Sequence, residues 1–363
     1  MKNPVFLSRE NSVLRVTVLL SLLVAIVFGS LYFYSGYTAP EGKIVYRRTS
    51  SDATSLYEIL VIDVKGNKST SLGYFSGSPT WSRDGKYLAL GCMHDLAQIC
   101  IIDVTSIPDS EEFPIQGHVE IERSVTLPTP CRAVLSEKGL ESISWSFDGR
   151  KLAVVCSENP NSEKREVCII PIEEEEKASC WDHSWEYSIN RVDWSPIDDV
   201  LVVSSSKKYG AKIYLVDING KNETYLADGW GATWSPDGKQ VAFMQWQNQF
   251  YSWEDGKLKI DESINQYTGL AVINKDGNGL KWLYRNPDNE SDLTAIISFG
   301  CDGMSNVCRA SWSPDGRYII FSAASGGMYD YRIFRLDLRT GKIIFLSQLD
   351  QYSRFVSDPN WGP

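Results

Sequence analysis

The chain has only three histidines among its 363 residues: His94, His118 and His183. It contains no Gly-x-Ser-x-Gly elbow, no His-Glu-x-x-His, no phosphate-binding Gly-Lys-Ser/Thr loop and no Gly-x-Gly-x-x-Gly turn. The common sequence marks of serine hydrolases, zinc proteases and nucleotide-dependent enzymes are therefore missing. No Cys-x-x-Cys occurs, which leaves a zinc site without its usual ligand pair. Positive charge is also short, with 36 Lys and Arg against 46 Asp and Glu, for a net charge of −10. Residues 1–34 hold Lys2, Arg9 and Arg15 against Glu10 alone, so the remainder is more acidic than the whole. An acidic body repels phosphate backbones and anionic lipid heads, so no nucleic-acid partner is expected. No cofactor and no metal ligand set is expected either.

Tryptophan is abundant, with twelve copies, and six of them head a repeat. The runs are Trp81-Ser-Arg-Asp-Gly, Trp145-Ser-Phe-Asp-Gly, Trp194-Ser-Pro-Ile-Asp, Trp234-Ser-Pro-Asp-Gly, Trp312-Ser-Pro-Asp-Gly and a final Trp361-Gly-Pro. Successive tryptophans lie 64, 49, 40, 78 and 49 residues apart. The shortest interval is near the roughly 40–45 residues of one four-stranded propeller blade, and the longer ones read as blades with insertions. Pro presets φ, Asp bonds the local backbone and Gly accepts positive φ, so each run is a tight turn. It joins an inner strand ending at Trp to an apolar second strand: Tyr87–Leu90, Leu152–Val155, Val200–Val203, Val241–Met244 and Tyr318–Phe321. A third strand tends to end in Asp, as in Ile59–Asp63, Ile101–Asp103, Tyr214–Asp217 and Ile333–Asp337. Turns such as Ile218-Asn-Gly-Lys then lead to a short outer strand. Lys43-Ile-Val-Tyr reads as a second strand with no first strand before it, and Pro359-Asn-Trp-Gly-Pro as a first strand with no second after it. The expectation is an all-β, six-bladed propeller over 42–363, closed by its C-terminal strand.

Trp-Ser-Pro-Asp-Gly-Lys/Arg before an apolar run, and Ile213-Tyr-Leu-Val-Asp-Ile-Asn-Gly, resemble the repeats of the TolB-like (WD-repeat-like) β-propeller family. The resemblance covers residues 42–363 and implies fold rather than activity. The family's namesake carries an α/β domain before its propeller, for which residues 1–41 leave no room.

Residues 16–34 form an apolar stretch of one membrane span, preceded by three basic residues. The organisation expected is a cytoplasmic N-terminus at 1–15, a signal-anchor helix at 16–34, a linker at 35–41 and an extracytoplasmic propeller. A cleaved signal peptide is the other reading.

Eight cysteines fit an oxidising compartment. Cys92 and Cys156 each follow their tryptophan by eleven residues, and Cys100 and Cys168 each open a Cys-Ile-Ile run. Antiparallel neighbours suit disulfides, so Cys92–Cys100 and Cys156–Cys168 are expected. The other four allow three pairings; Cys301 and Cys308 flank one short loop, so that pair is expected, with Cys131–Cys180 left. The sequons at Asn67, Asn222 and Asn289 are near the number that chance supplies.

In this architecture the second-to-third and outer-to-inner connections share one face. They carry most of the extra length: Met93–Gln98, much of Ser110–Leu140, Asp182–Asn190, Gln247–Tyr267 and Asn286–Val307. Part of Thr105–Gly117 is left open between the two faces. Trp181, Trp185, Trp230, Trp246, Phe250, Tyr251, Trp253 and Tyr267 fall on or beside that face. Aromatic side chains suit protein hot spots and sugar stacking. Packing within the insertions is the competing reading. The function expected is a binding or scaffold module for a protein or an envelope polysaccharide, tethered to the membrane by residues 16–34, rather than an enzyme. Two alternatives remain. One is a metal-dependent or carbohydrate-active propeller enzyme using the three histidines with carboxylates such as Asp182, Glu186, Glu254, Asp255 and Asp261. The other is a structural subunit of a membrane complex.

Overall fold

The computed structural model describes residues 42–48, 57–64, 69–92, 98–105, 121–128, 131, 142–156, 165–173, 177–182, 188–207, 210–246, 251–254, 257–260, 268–285, 297–298, 310–325, 331–346 and 356–362. All lie in the compact unit Glu41–Pro363. The apolar stretch 16–34 lies outside the described residues. Among those that are described, no helix is long and apolar enough to cross a membrane.

Among the described residues, every strand pair is antiparallel. The first sheet begins with β1 (Lys43–Arg48), flanked by β26 (Val356–Trp361) and β2 (Tyr57–Asp63). The 13-residue β3 (Ser69–Trp81) serves two sheets. Its first half pairs with β2, and its second half pairs with β4 (Tyr87–Gly91). Next come β5 (Gln98–Asp103) and β6 (Ile121–Thr126). The third group is β7 (Ile143–Trp145), β8 (Lys151–Cys156), β9 (Glu166–Pro171) and β10 (Ser179–Asp182). The fourth is β11 (Ser188–Trp194), β12 (Val200–Lys207), β13 (Gly210–Asp217) and β14 (Glu223–Asp228). The fifth is β15 (Trp230–Trp234), β16 (Gln240–Trp246), β19 (Thr268–Asn274) and β20 (Lys281–Tyr284), with a separate hairpin of β17 (Tyr251–Glu254) and β18 (Lys257–Ile260) inserted in it. The last is β22 (Ala310–Trp312), β23 (Tyr318–Ser325), β24 (Tyr331–Asp337) and β25 (Ile343–Phe345), with β21 (Ile297–Ser298) extending the β22 side of β23. Each expected second and third strand lies within one of these elements.

The repeated Trp-Ser has a local cause. Ser82, Ser146, Ser235 and Ser313 are buried, and each hydroxyl receives the N–H of the first residues of the next strand, at 2.9 Å from Tyr87, Lys151 and Gln240 and 2.8 Å from Tyr318. The same hydroxyls donate to Asp84, Asp148, Asp237 and Asp315 at 2.5–2.7 Å. A hydroxyl both donates and accepts, so one buried serine closes the turn with no unpaired group. The aspartates ending third strands act likewise. Asp217 accepts the N–H groups of Asn219 and Lys221, and Asp337 those of Arg339 and Thr340.

The core divides into clusters at the junctions of successive sheets. One joins β4–β6 to β7–β9 around Trp145, the next joins β8 and β9 to β11–β13 around Trp194, and others surround Trp234, Trp312 and Trp81. A further one joins the last sheet to the first through Ile320, Ile333, Ile44, Tyr46 and Trp361. All six repeat tryptophans are buried, Trp194 completely. Removal of some 150–250 Å² per ring from water makes them the principal inter-sheet cement. Gly362 replaces the repeat serine in the last copy for a packing reason: a Cβ there would stand 2.4 Å from the Trp81 ring. On the same seam, buried Asp358 holds a left-handed backbone (φ 50°) and accepts from Arg47 Nε at 2.6 Å and Ser78 Oγ at 2.9 Å.

The disulfides correct part of the expected pairing. Cys92–Cys100 forms, with Cα atoms 5.1 Å apart. Cys156 instead joins Cys131, and Cys168 joins Cys180. The register explains the exchange. Cys168 faces Val154, and Cys156 faces Glu166, so the expected Cys156–Cys168 partners lie on a diagonal. Cys180 on β10 faces Cys168 directly, and Cys131 is brought to Cys156. The expected Cys131–Cys180 bond is thereby replaced as well. Cys301 and Cys308 lie outside the described residues.

Candidate functional site

The six inner strands touch in sequence: β26 with β3, β3 with β7, β7 with β11, β11 with β15, β15 with β22, and β22 with β26. The residue before each tryptophan forms a polar belt of Thr80, Ser144, Asp193, Thr233, Ser311 and Asn360. Belt side chains bond to the next strand's backbone. Trp194 N–H donates to Ser144 Oγ at 2.9 Å, Trp234 N–H to Asp193 Oδ2 at 2.8 Å, Trp361 N–H to Ser311 Oγ at 3.0 Å and Trp81 N–H to Asn360 Oδ1 at 3.2 Å. The indole N–H groups of Trp81 and Trp145 add bonds to the carbonyls of Asn360 and Thr80, each at 3.2 Å.

This belt walls a cavity of about 310 Å³ that opens between the Trp-Ser turns. Asp193 is the carboxylate in its wall, and both oxygens are engaged. Oδ1 accepts from Ser144 Oγ at 3.0 Å, and Oδ2 from Thr233 Oγ1 at 2.9 Å as well as from Trp234 N–H. The cation is Arg83, whose Nη2 donates to the carbonyl of Trp194, two inner strands away. Arg83 is itself exposed, so its side chain stands at the mouth of the cavity. Partial withdrawal from water lowers the guanidinium's pKa from its ordinary value, and Asp193 pulls in the opposite direction.

Arg83 was missed as a site residue, although the repeat marks it. At the second turn position after tryptophan, Pro196, Pro236 and Pro314 stand in three copies and line the same cavity. Arg83 and Phe147 depart from that rule, and Arg83 alone does so with a long cation. Comparing repeats position by position would have singled it out.

The expected aromatic face is only partly within the described residues. Trp181, on β10, is half-buried; its indole N–H donates to the carbonyl of Ile218 at 3.0 Å. Its ring lies where a Cβ on Gly220 would meet it at 2.5 Å, so Trp181 packs against the neighbouring sheet's turn. Trp230 opens β15 and packs half-buried against the cluster around Trp312. Trp246 ends β16, and Tyr251 and Trp253 lie on β17. Trp185, Phe250 and Tyr267 are outside the described residues, as are His94, His118 and His183.

Connection lengths separate the two ends of the sheets. All five Trp-Ser turns span five residues, from Trp81 to Tyr87 through Trp312 to Tyr318. At the other end, β16 and β19 are separated by 247–267 and β20 and β22 by 285–309. β6 pairs with β5 as the outer strand of this sheet, so the chain leaves β5 and enters β6 at the Trp-Ser end; 106–120, with most of the stretch left open above, lie outside the described residues. Among the described residues, the groups of His, Cys, Asp and Glu close enough to share a metal draw on Cys131, Cys156, Cys168 and Cys180, with Glu166. Those cysteines are already in disulfides.

No family model matches the chain. No curated protein matches it. Solved structures do. TolB from Acinetobacter baumannii aligns with a TM-score of 0.58 and 15% identity, over 90% of this chain and 68% of that one. A putative TolB from Agrobacterium tumefaciens aligns with a TM-score of 0.52 and 14% identity, over 90% and 99% respectively. The chain therefore has the all-β propeller fold of the TolB-like structures.

Proposed function

We propose that this chain is a six-bladed propeller, closed by β26 on β1, that binds a protein or an envelope polymer through the face carrying its long connections. Six blades and closure are supported by the cyclic contacts of the inner strands and by the junction cluster that links the last sheet to the first. Residues 16–34 hold it to a membrane with residues 42–363 outside the cytoplasm, a reading supported by their apolar run, the basic residues before it and the three disulfides.

The inequality of the connections carries the binding reading. Five Trp-Ser turns keep one length and one hydrogen-bond pattern or its close variant, while the opposite end accepts most of the insertions and an added hairpin bearing Tyr251 and Trp253; the connection from β5 to β6 is the exception. Function on a rigid scaffold concentrates in variable connections. No observation on the described residues favours catalysis.

The test is affinity capture from native envelope extract with the full-length chain in detergent, beside a Trp246→Ala/Trp253→Ala variant. A protein or glycan retained by the parent and lost by the variant, at unchanged melting temperature, is the expected result. Equal retention by both, or a collapse of stability in the variant, would remove those aromatics from the binding role.

A further inference from the structure

The cavity at the Trp-Ser end lies opposite the proposed binding face and is independent of it. Its polar groups are unequally provided for. Most of the acceptors are used, the Thr80 oxygen excepted: Asp193 takes three bonds, Ser311 Oγ and Asn360 Oδ1 each take a backbone N–H, and the carbonyl of Trp194 takes Arg83 Nη2. The donors are not. Among the described residues, no protein acceptor meets the hydroxyl hydrogens of Thr80 and Ser311, the side-chain N–H₂ of Asn360, or Nε and Nη1 of Arg83. A cavity with spare donors, one guanidinium at its mouth and a fully engaged carboxylate favours an acceptor-only anion. Its aromatic and proline walls, from Trp81, Trp234, Trp312, Pro196, Pro236 and Pro314, suit the flat organic body attached to such a group.

We infer that this cavity binds a carboxylate carried on a small molecule or at a chain end, with Arg83 as its principal anchor. With one Nη2 hydrogen on the carbonyl of Trp194, the second Nη2 hydrogen and the neighbouring donor along the free edge of the planar guanidinium form a fork that matches the two oxygens of a carboxylate. The carboxylate takes the place of water against Arg83, while Ser311 and Asn360 donate from the belt. Asp193 stays in the wall as the partner that fixes the neighbouring strands. Its proximity keeps the site near neutrality, so recognition depends on donor geometry more than on net charge.

Trp81, Trp145, Trp234, Trp312 and Trp361 line the cavity, so their fluorescence reports occupancy. The full-length chain in detergent would be titrated with acetyl-glycyl-glycine, the same peptide as its amide, glucuronate and inorganic phosphate. Saturable fluorescence change with acetyl-glycyl-glycine or glucuronate, and none with the amide, is expected. The stronger of the two identifies a chain end or a sugar acid as the source of the carboxylate. Arg83→Gln should weaken binding at least about tenfold. Arg83→Pro, which installs the residue of three other repeats, should abolish binding while leaving the melting temperature within a few degrees. The proposal is overturned if the amide binds as well as the acid, if Arg83→Pro still binds, or if phosphate alone binds.

Discussion

Sheets β3–β6 and β7–β10 are neighbours built on one pattern, yet they are locked differently. Both begin at a buried tryptophan whose indole donates to the preceding inner strand. Both place a cysteine eleven residues later and another at the head of a Cys-Ile-Ile run. In the first, those two cysteines bond across a diagonal, since Cys100 faces Leu90 and Cys92 N–H bonds to Gln98. In the second, the same diagonal is available and goes unused, because Cys180 faces Cys168 directly and Cys131 reaches Cys156. The sulfurs of Cys131 and Cys168 are only 3.6 Å apart, so all four cysteines share one cluster. Equivalent hairpins thus supply equivalent possibilities, and the choice falls to cysteines contributed from outside the hairpin.

The largest effect should come from what the two sheets share. Trp81→Ala and Trp145→Ala should each cost about 3–5 kcal/mol, read by chemical denaturation, because each removes a buried ring and leaves a cavity between sheets. A cost below about 1 kcal/mol at either position would break the equivalence of the two junctions.

The disulfides should separate the sheets by a smaller amount. Cys131 and Cys156 are 25 residues apart and Cys92 and Cys100 eight, so the chain-entropy model puts their removal at about 3.5 and about 2.5 kcal/mol. The sharper readout is peptide mapping without reduction. In a Cys131→Ala/Cys180→Ala variant, Cys156 and Cys168 should bond to each other, as their counterparts do in the preceding sheet. Two free thiols at those positions would show that the diagonal is closed in this sheet.

The smallest effect tests the turns. Ser82→Ala and Ser146→Ala should each cost about 1–2 kcal/mol at neutral pH, as each leaves a strand N–H without its acceptor. Burial pushes the carboxyls of Asp84 and Asp148 up, but the serine hydroxyl and backbone N–H bonds outweigh it and hold both below the usual range. A depressed folded pKa contributes stability above the unfolded value near 4 and loses it as pH falls through the folded value. The gap between parent and serine variants should therefore narrow in acid, equally in both sheets. Melting temperatures measured from pH 6 down to pH 2 check this, and a gap that widens in acid would contradict it.

Much of the fold was legible because its rules are local. Trp-Ser-x-Asp-Gly encodes a turn within five residues, and the apolar run after it encodes a strand buried on both faces. The pairing of β1 with β26 was legible because each end of the repeat lacked a strand that the other supplied. The candidate sites were less so. Trp181 was legible as an aromatic near a long connection, but its seat against Gly220 depends on a neighbouring sheet. Cys156 and Cys168 were legible as cross-strand neighbours, but their directly facing positions were not, because a two-residue offset in register leaves the sequence pattern unchanged.

By itself, then, the sequence determined the repeat, its turns, its strands and the burial of six tryptophans, because hydrogen bonds and side-chain alternation over a few residues specify them. The tertiary structure alone decided which cysteine meets which, that β6 is the outer partner of β5, and that Arg83 reaches the carbonyl of Trp194 across 111 positions of chain. Those outcomes rest on distances between residues that packing brings together, and no local pattern carries such a distance.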